Sequence, residues 1–266
     1  MNLSYRTKLG IAIFTPIAFF LAQSFMTIKG ILETRAILSE MSVNVSMLAD
    51  GSKFVRELQI ERGTSGLALS GGVGKEAVTV QRTKTDSAMK SFQDSLAHAI
   101  IKGNPQSKLD QILANLRDAR GQFDASSAPP GVVAAYTATV RGTLSLCGLA
   151  ADSRTTKGLG KRMTSLMIVE EARESAGLMR ATLSRSLADP AGVNTDSRLL
   201  LARTVYSVDA NLNSPAITLS SDSSSQLDKV RKGDLWKRLN QIAATVVTAT
   251  GEAGVTGAEC FALSTQ

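Results

Sequence analysis

ELQIERGTSGLALS, residues 57–70, is the stretch that decides how this chain is to be read. Its apolar residues recur at helical spacing with their neighbours: Phe54, then Leu58 four residues on, then Leu69 eleven further. Four beyond Leu58, where the period asks for another core residue, stands Arg62. Beside it are Gly63, Ser65 and Gly66, small residues that leave room for a neighbouring helix. The segment therefore predicts a helix that carries a guanidinium on its buried stripe.

The same period governs the rest of the sequence, and strand alternation is nearly absent. The first helix is expected to run from the N-terminal region to Leu69, where SGGVG at 70–74 stops it. Val78, Thr85, Met89, Phe92 and Leu96 mark the face of a second helix. After Pro105, a residue suited to an early helix position, Leu109, Ile112, Leu116 and Phe123 mark a third. Val133, Tyr136, Val140, Leu144 and Cys147 mark a fourth. A long fifth helix is expected over 161–188, and helical stretches over 197–213, 215–230 and 234–249. Residues 251–257 read as loop, and 258–266 as the first turns of another helix. Seven or eight helices joined by short polar turns predict an all-α fold of two packed antiparallel helical bundles. The long helices over 33–69 and 161–188 are its natural central elements.

Residues 9–28, LGIAIFTPIAFFLAQSFMTI, carry no formal charge. About 20 such residues span the hydrocarbon core of a bilayer, and membrane helices tolerate a proline such as Pro16. Arg6 and Lys8 precede the stretch, and Lys29 and Arg35 follow it. A short basic N-terminal flank favours an N-terminus kept inside. The expected organisation is a cytoplasmic segment at 1–8, a transmembrane anchor at 9–28 and a helical domain at 29–266, outside the inner membrane. The rival is a cleaved signal peptide, with 10–21 as its apolar region and Ala22 and Ser24 as a weak cleavage site. The apolar run continues through Phe25, Met26 and Ile28 into helix-like sequence, which favours the uncleaved anchor.

Composition narrows the function classes. One histidine, His98, argues against a multi-histidine metal site or a histidine-based triad, so no enzymatic activity, metal or cofactor is expected. Cys147 and Cys260 show neither metal spacing nor a disulfide framework, and their count leaves pairing open. The net charge of +7 favours anionic partners in general. The basic residues are scattered among acids and aromatic residues are sparse, so no nucleic-acid partner is expected.

The fifth helix repeats the theme of the first. Leu166, Val169, Arg173, Ala176, Arg180, Leu183 and Leu187 follow one another at spacings of three and four, a helical seam with arginine at two positions. Ala176, Gly177 and Ala181 again supply small neighbours. Helical salt-bridge partners sit three or four residues away. Arg82 finds Asp86 there, and Arg173 finds Glu170. Arg62 and Arg180 find no carboxylate at those offsets. Each must meet an acid on another helix, water or a ligand, because a lone buried charge costs several kcal/mol. Two guanidiniums can hold a small planar oxyanion bidentately.

These residues also carry a resemblance. ELQIERGTSGLAL followed by QRTKTDSAM at 81–89 resembles the first signature of the nitrate- and nitrite-sensing domain, an E-L-Q-x-E-R-G run and then R-x-x-T-D. EARESAGLMRA at 171–181 is similar to its second signature, K/E-E-x-A-G-x-x-R-A, with Ser175 as an interruption. DLWKRLN at 234–240 and GAECFALSTQ at 257–266 look like its C-terminal segment. The resemblance implies two four-helix bundles serving as the extracytoplasmic sensor of a bacterial membrane receptor, such as a chemoreceptor. It implies a homodimer that signals across the inner membrane from the periplasmic side. It further implies that Arg62 and Arg180 bind nitrate or nitrite; the small residues beside them, Gly63, Ser65, Gly66 and Gly177, are then expected to line the site. In membrane-bound members the last helix continues into a second span and a signalling domain. The sequence given ends at Gln266, so a truncated last helix and an absent downstream domain are expected. The competing reading is a helical interaction or dimerisation module whose arginines are bridged internally and bind no anion.

Overall fold

The computed structural model describes residues 4–152, 159–189, 192–248 and 253–265. Parts of the expected turn after the fifth helix and of the expected loop at 251–257 lie outside those residues. The described residues form nine helices and no strand: α1 (Tyr5–Leu69), α2 (Lys75–His98), α3 (Pro105–Asp124), α4 (Pro129–Ala151), α5 (Leu159–Ala188), α6 (Thr195–Leu212), α7 (Ser221–Lys232), α8 (Asp234–Thr248) and α9 (Gly257–Leu263). Their starts follow local chemistry. The side chains of Asn104, Asn194 and Ser220 accept the backbone N–H three residues on, at Ser107, Ser197 and Ser223. Thr256 and Glu259 cap α9 reciprocally.

Two hydrophobic cores define two bundles. The first joins α1 to α2, α3 and α4 around Phe54, Leu58, Phe92, Ile112, Tyr136 and Leu146. Phe54 and Phe92 stack with ring centroids 5.7 Å apart. The second joins α5 to α6, α8 and α9 around Met179, Leu183, Leu201, Ile242 and Cys260. The α5 helix lies against α1 and α4 as well, and its Met163 enters the first core. It is the shared wall of the two bundles, and every residue from Met179 to Ser186 is buried.

Three sequence expectations are corrected. The seam on α5 is not uniformly buried: Leu166 is exposed, and Val169, Arg173 and Ala176 are half-buried, because only the C-terminal part of α5 is enclosed on all sides. The stretch 215–230 is helical only from Ser221. Its first residues are tied to α5 instead, where Ser165 Oγ accepts from the Thr218 N–H at 2.7 Å. Arg82 does not pair with Asp86. It reaches Asp124 on α3 at 3.0 Å, and Asp86 is taken by Arg120 at 2.7 Å. Interhelical partners here win over the weaker i,i+4 option.

Two described helices, α1 and α4, are long and apolar enough to cross a membrane. Half of the apolar stretch of α4 is buried in the first bundle, whereas none of that of α1 is. Phe14, Phe19, Phe20 and Phe25 all stand exposed along α1.

Both cysteines are free and buried. Burial, helped by the charge of Glu170, pushes the Cys147 thiol up to about 12. The thiolate is the reactive form and appears only as pH approaches that value, so at pH ~8 labelling must wait for local opening. Native Cys147 is expected to react with a thiol reagent at least about a hundredfold more slowly than in denaturant. Equal rates in the two conditions contradict the packing described.

Candidate functional site

Arg62 is fully buried and its charge is met from the other bundle. Its Nη1 donates to Glu174 Oε1 at 2.6 Å and its Nη2 to Glu174 Oε2 at 3.1 Å, a two-pronged pair between α1 and α5. Nη1 also donates to Thr137 Oγ1 on α4 at 2.9 Å. One turn earlier on α1, Gln59 Nε2 donates to Glu174 Oε2 at 2.9 Å. The Glu174 carboxylate therefore accepts three bonds from α1, which is what a buried charge requires. The glutamate comes from the helix that carries Arg180, six residues before it.

Glu61, the neighbour of Arg62, points the other way into the first bundle and is also fully buried. It accepts from Arg120 Nε at 2.8 Å and Nη2 at 3.0 Å, and from the Tyr136 hydroxyl at 2.7 Å. Burial works against the Arg120 charge, but Glu61 and Asp86 outweigh it and raise its pKa. Burial, with Glu61 adding to it, raises that of Tyr136. Glu57 accepts from Gln81 Nε2 at 2.7 Å. The acidic residues of the stretch 57–70 thus fasten α1 to α2, α3 and α4, whereas Arg62 and Gln59 face Glu174 on α5.

Arg180 is in a different situation. It is 9% exposed, and no carboxylate of the described residues lies within ion-pair distance of it. Nη1 makes one long bond, 3.5 Å, to the Ser264 carbonyl, and Nε has no partner. The Phe261 ring of α9 lies 5.3 Å from the guanidinium carbon. Burial, then repulsion from Arg62, push its pKa down to about 10, with Glu174 pulling partly the other way. Glu174 is taken up by Arg62, and Arg180 stands beside that pair without a carboxylate of its own among the described residues.

Arg180 lines a cavity of about 400 Å³ between α5, α7 and α8. Trp236, Leu235 and Leu239 form its apolar wall, with Gly177 and Arg173 from α5. Arg173 is occupied: it meets Glu170 at 2.6 Å and donates to the Ser52 carbonyl at 2.7 Å. Asp234, at the edge of the cavity, is exposed and pairs with Lys237 at 3.3 Å.

The small residues singled out in the sequence go to separate places. Gly177 lies against Gln59 and Arg62 and also lines the cavity, so it joins the two arginines. Gly63 lies under the Phe261 ring, and a side chain there would collide with it. Gly66 faces Val133 and the stem of Arg185 instead. Ser65 turns into the first bundle, where its hydroxyl is 3.5 Å from that of Tyr136. Sequence reasoning missed Glu174 as the partner of Arg62, and missed Phe261 altogether. The signal for Glu174 was Gly177 one turn on, which opens the α5 surface to α1 at that point.

Gly177→Ala tests this close approach. A Cβ would sit 3.1 Å from Gln59 Cδ and 3.2 Å from Arg62 Nη2, and Glu174 holds both side chains in place. Alanine gains about 1 kcal/mol of helix propensity, whereas overpacking costs about 1–3 kcal/mol. A net loss of about 1 kcal/mol is expected in urea denaturation; a gain in stability contradicts the described contact.

Residues 53–266 match the family described as nitrate and nitrite sensing. Among solved structures, that of the NasR transcription antiterminator superposes with a TM-score of 0.70 at 18% identity, over 90% of this chain and 68% of that one. At this identity the likeness shows the fold alone. No curated protein matches the sequence significantly.

Proposed function

The chain belongs to the nitrate- and nitrite-sensing family, and from that premise we propose that it senses a small monoanion, nitrate or nitrite, bound at Arg180. The observation that carries this reading is a buried guanidinium with no carboxylate, beside a second guanidinium, on the wall of a cavity. A guanidinium without a carboxylate of its own calls for one negative charge. A planar oxyanion also suits the fork of donors that arginine offers.

Arg62 takes a different role from Arg180 in this reading. Its forks are engaged with Glu174, so it acts on the ligand through its field and by holding Gln59, Glu174 and Gly177 in place. The bound anion relieves the repulsion between Arg62 and Arg180. A ligand shifts a conformational equilibrium only through such a difference in interaction between states. The anion also competes with the Ser264 carbonyl for Arg180 Nη1, so α9 feels its arrival.

The output proposed is transmembrane. The α1 helix runs unbroken from the apolar residues 9–28 to Arg62, roughly 50 Å beyond Ile28 at helical rise. With Arg6 and Lys8 on the inner side, the bundles lie on the periplasmic side of the inner membrane, as in a chemoreceptor sensor, and two copies pair. The second reading is an interaction module with internally bridged arginines. The Arg62–Glu174 pair favours it, and Arg180 does not.

Titration calorimetry on the full chain in lipid nanodiscs tests the proposal. Saturable heat with nitrate or nitrite, and none with equal chloride, is expected. No heat with either ion leaves the interaction module as the standing reading.

A further inference from the structure

A second cavity, about 430 Å³, lies on the opposite face of α5, between α4, α5 and α6. The two faces are set by the helix period: Gly177 and Arg180 turn towards α8, whereas Leu178, Thr182 and Arg185 turn towards α4 and α6. Its walls are apolar, formed by Pro130, Val133, Leu178 and Leu200. Set into them are two guanidiniums, Arg141 and Arg185, and two hydroxyls, Thr137 and Thr182.

Two of these polar groups, Thr182 and Arg185, are buried and under-used. Thr182 is 1% exposed, and its Oγ1 has no hydrogen-bond partner, although a threonine on a helix can usually turn its hydroxyl to a preceding carbonyl. Arg185 is 8% exposed; Nη2 donates to Ser197 Oγ at 3.0 Å, and Nε has no partner. The acid facing it is Asp189, just past the C-terminal end of α5. Arg141 has no carboxylate of the described residues within ion-pair distance, and Glu171 acts on it only from further away. Buried polar groups are ordinarily satisfied, so orphans on a cavity wall need a partner. An apolar pocket with a few convergent polar groups is the usual form of a small-molecule site.

We propose that this α4–α5–α6 cavity is a second ligand site, which takes a monocarboxylate with an apolar body. The carboxylate lies between Arg141 and Arg185 and accepts from the Thr182 hydroxyl, and the body rests on Val133, Leu178 and Leu200. A bare nitrate leaves those apolar walls uncovered. The site is linked to the first one through Thr137, whose Oγ1 accepts from Arg62 Nη1 at 2.9 Å while lining this cavity. A ligand here therefore presses on the residue that steadies Arg62.

Benzoate is the probe, titrated calorimetrically into the full chain in lipid nanodiscs, with empty nanodiscs subtracted. Saturable binding is expected, absent for benzyl alcohol, which has the same body without the charge. Arg141→Gln, an exposed residue outside both cores, should weaken it by about tenfold or more, the loss of a charge-assisted bond. Thr182→Val, which keeps the shape, should weaken it by several-fold. Neither Arg180→Met nor saturating nitrate should abolish it. Absence of saturable benzoate binding overturns the proposal. So does binding that nitrate displaces or that Arg180→Met removes, since either would put the carboxylate in the other cavity.

Discussion

Arg62→Met will cost about 3–5 kcal/mol of stability, whether or not any anion is present, because it strands a buried carboxylate. Glu174 is itself 5% exposed, and two of its three bonds come from Arg62. With the guanidinium gone it keeps only the Gln59 amide, which is neutral. The bridge is also what joins α1 to α5 at the level of the cavity, so the loss falls on the packing of one bundle against the other. Urea denaturation of the full chain followed by circular dichroism reads this directly.

The double replacement Arg62→Met with Glu174→Leu then separates the cause. Exchanging a whole buried ion pair for apolar residues of similar volume is commonly neutral or stabilising, whereas breaking one half is costly. The double variant is therefore expected to recover most of the stability lost by Arg62→Met. The coupling in that cycle isolates the pair from the general effect of altering a buried site. A near-neutral Arg62→Met contradicts the pairing, and an additive double variant assigns the loss to packing alone.

The stretch 57–70 made the architecture legible because helical burial is periodic, and a charge at an apolar position is visible as an exception. The same rule found Arg180, and the absence of acids three or four residues away showed that both needed distant partners. It could not show which partners. Local spacing put Arg82 with Asp86, yet the packed helices gave Arg82 to Asp124 and Asp86 to Arg120. An interhelical pair depends on the rotation of two helices, which one helix's spacing does not contain. For the same reason Ser65 and Gly66 looked like neighbours of Arg62 facing one ligand, but they turn to Tyr136 and Val133. They stand one turn further along α1 than Arg62, and so meet another level of α4. The role of α9 was hidden further, since a seven-residue helix has too few turns to show a face, and Phe261 acquires its meaning only beside Arg180.

Arg180→Met is expected to do the reverse of Arg62→Met: it abolishes the response to nitrate or nitrite and leaves the unliganded chain as stable as before, or more so. The argument is one of charge. Arg180 enters the fold with its pKa pushed down to about 10, so the folded state holds its charge less readily than the unfolded chain does. For a base whose folded pKa is lowered, the unfolded state binds more protons between the two values. Stability therefore rises with pH across the window from about 10 to the usual arginine value, and the whole penalty is present below it. At neutral pH the guanidinium is charged and the penalty is complete, which methionine removes and a bound anion offsets. The offset follows mass action: at about 100 times the dissociation constant, the anion adds about 2.7 kcal/mol to the wild type. The variant should gain nothing at the same concentration. Affinity should be level through neutral pH and fall only as pH passes about 10, where the site loses its charge. Chemical denaturation with and without nitrate, in both chains, measures all of this. A variant that still gains stability from nitrate shows that the anion is held elsewhere, and one that loses stability without nitrate shows that Arg180 has a partner holding it in the fold.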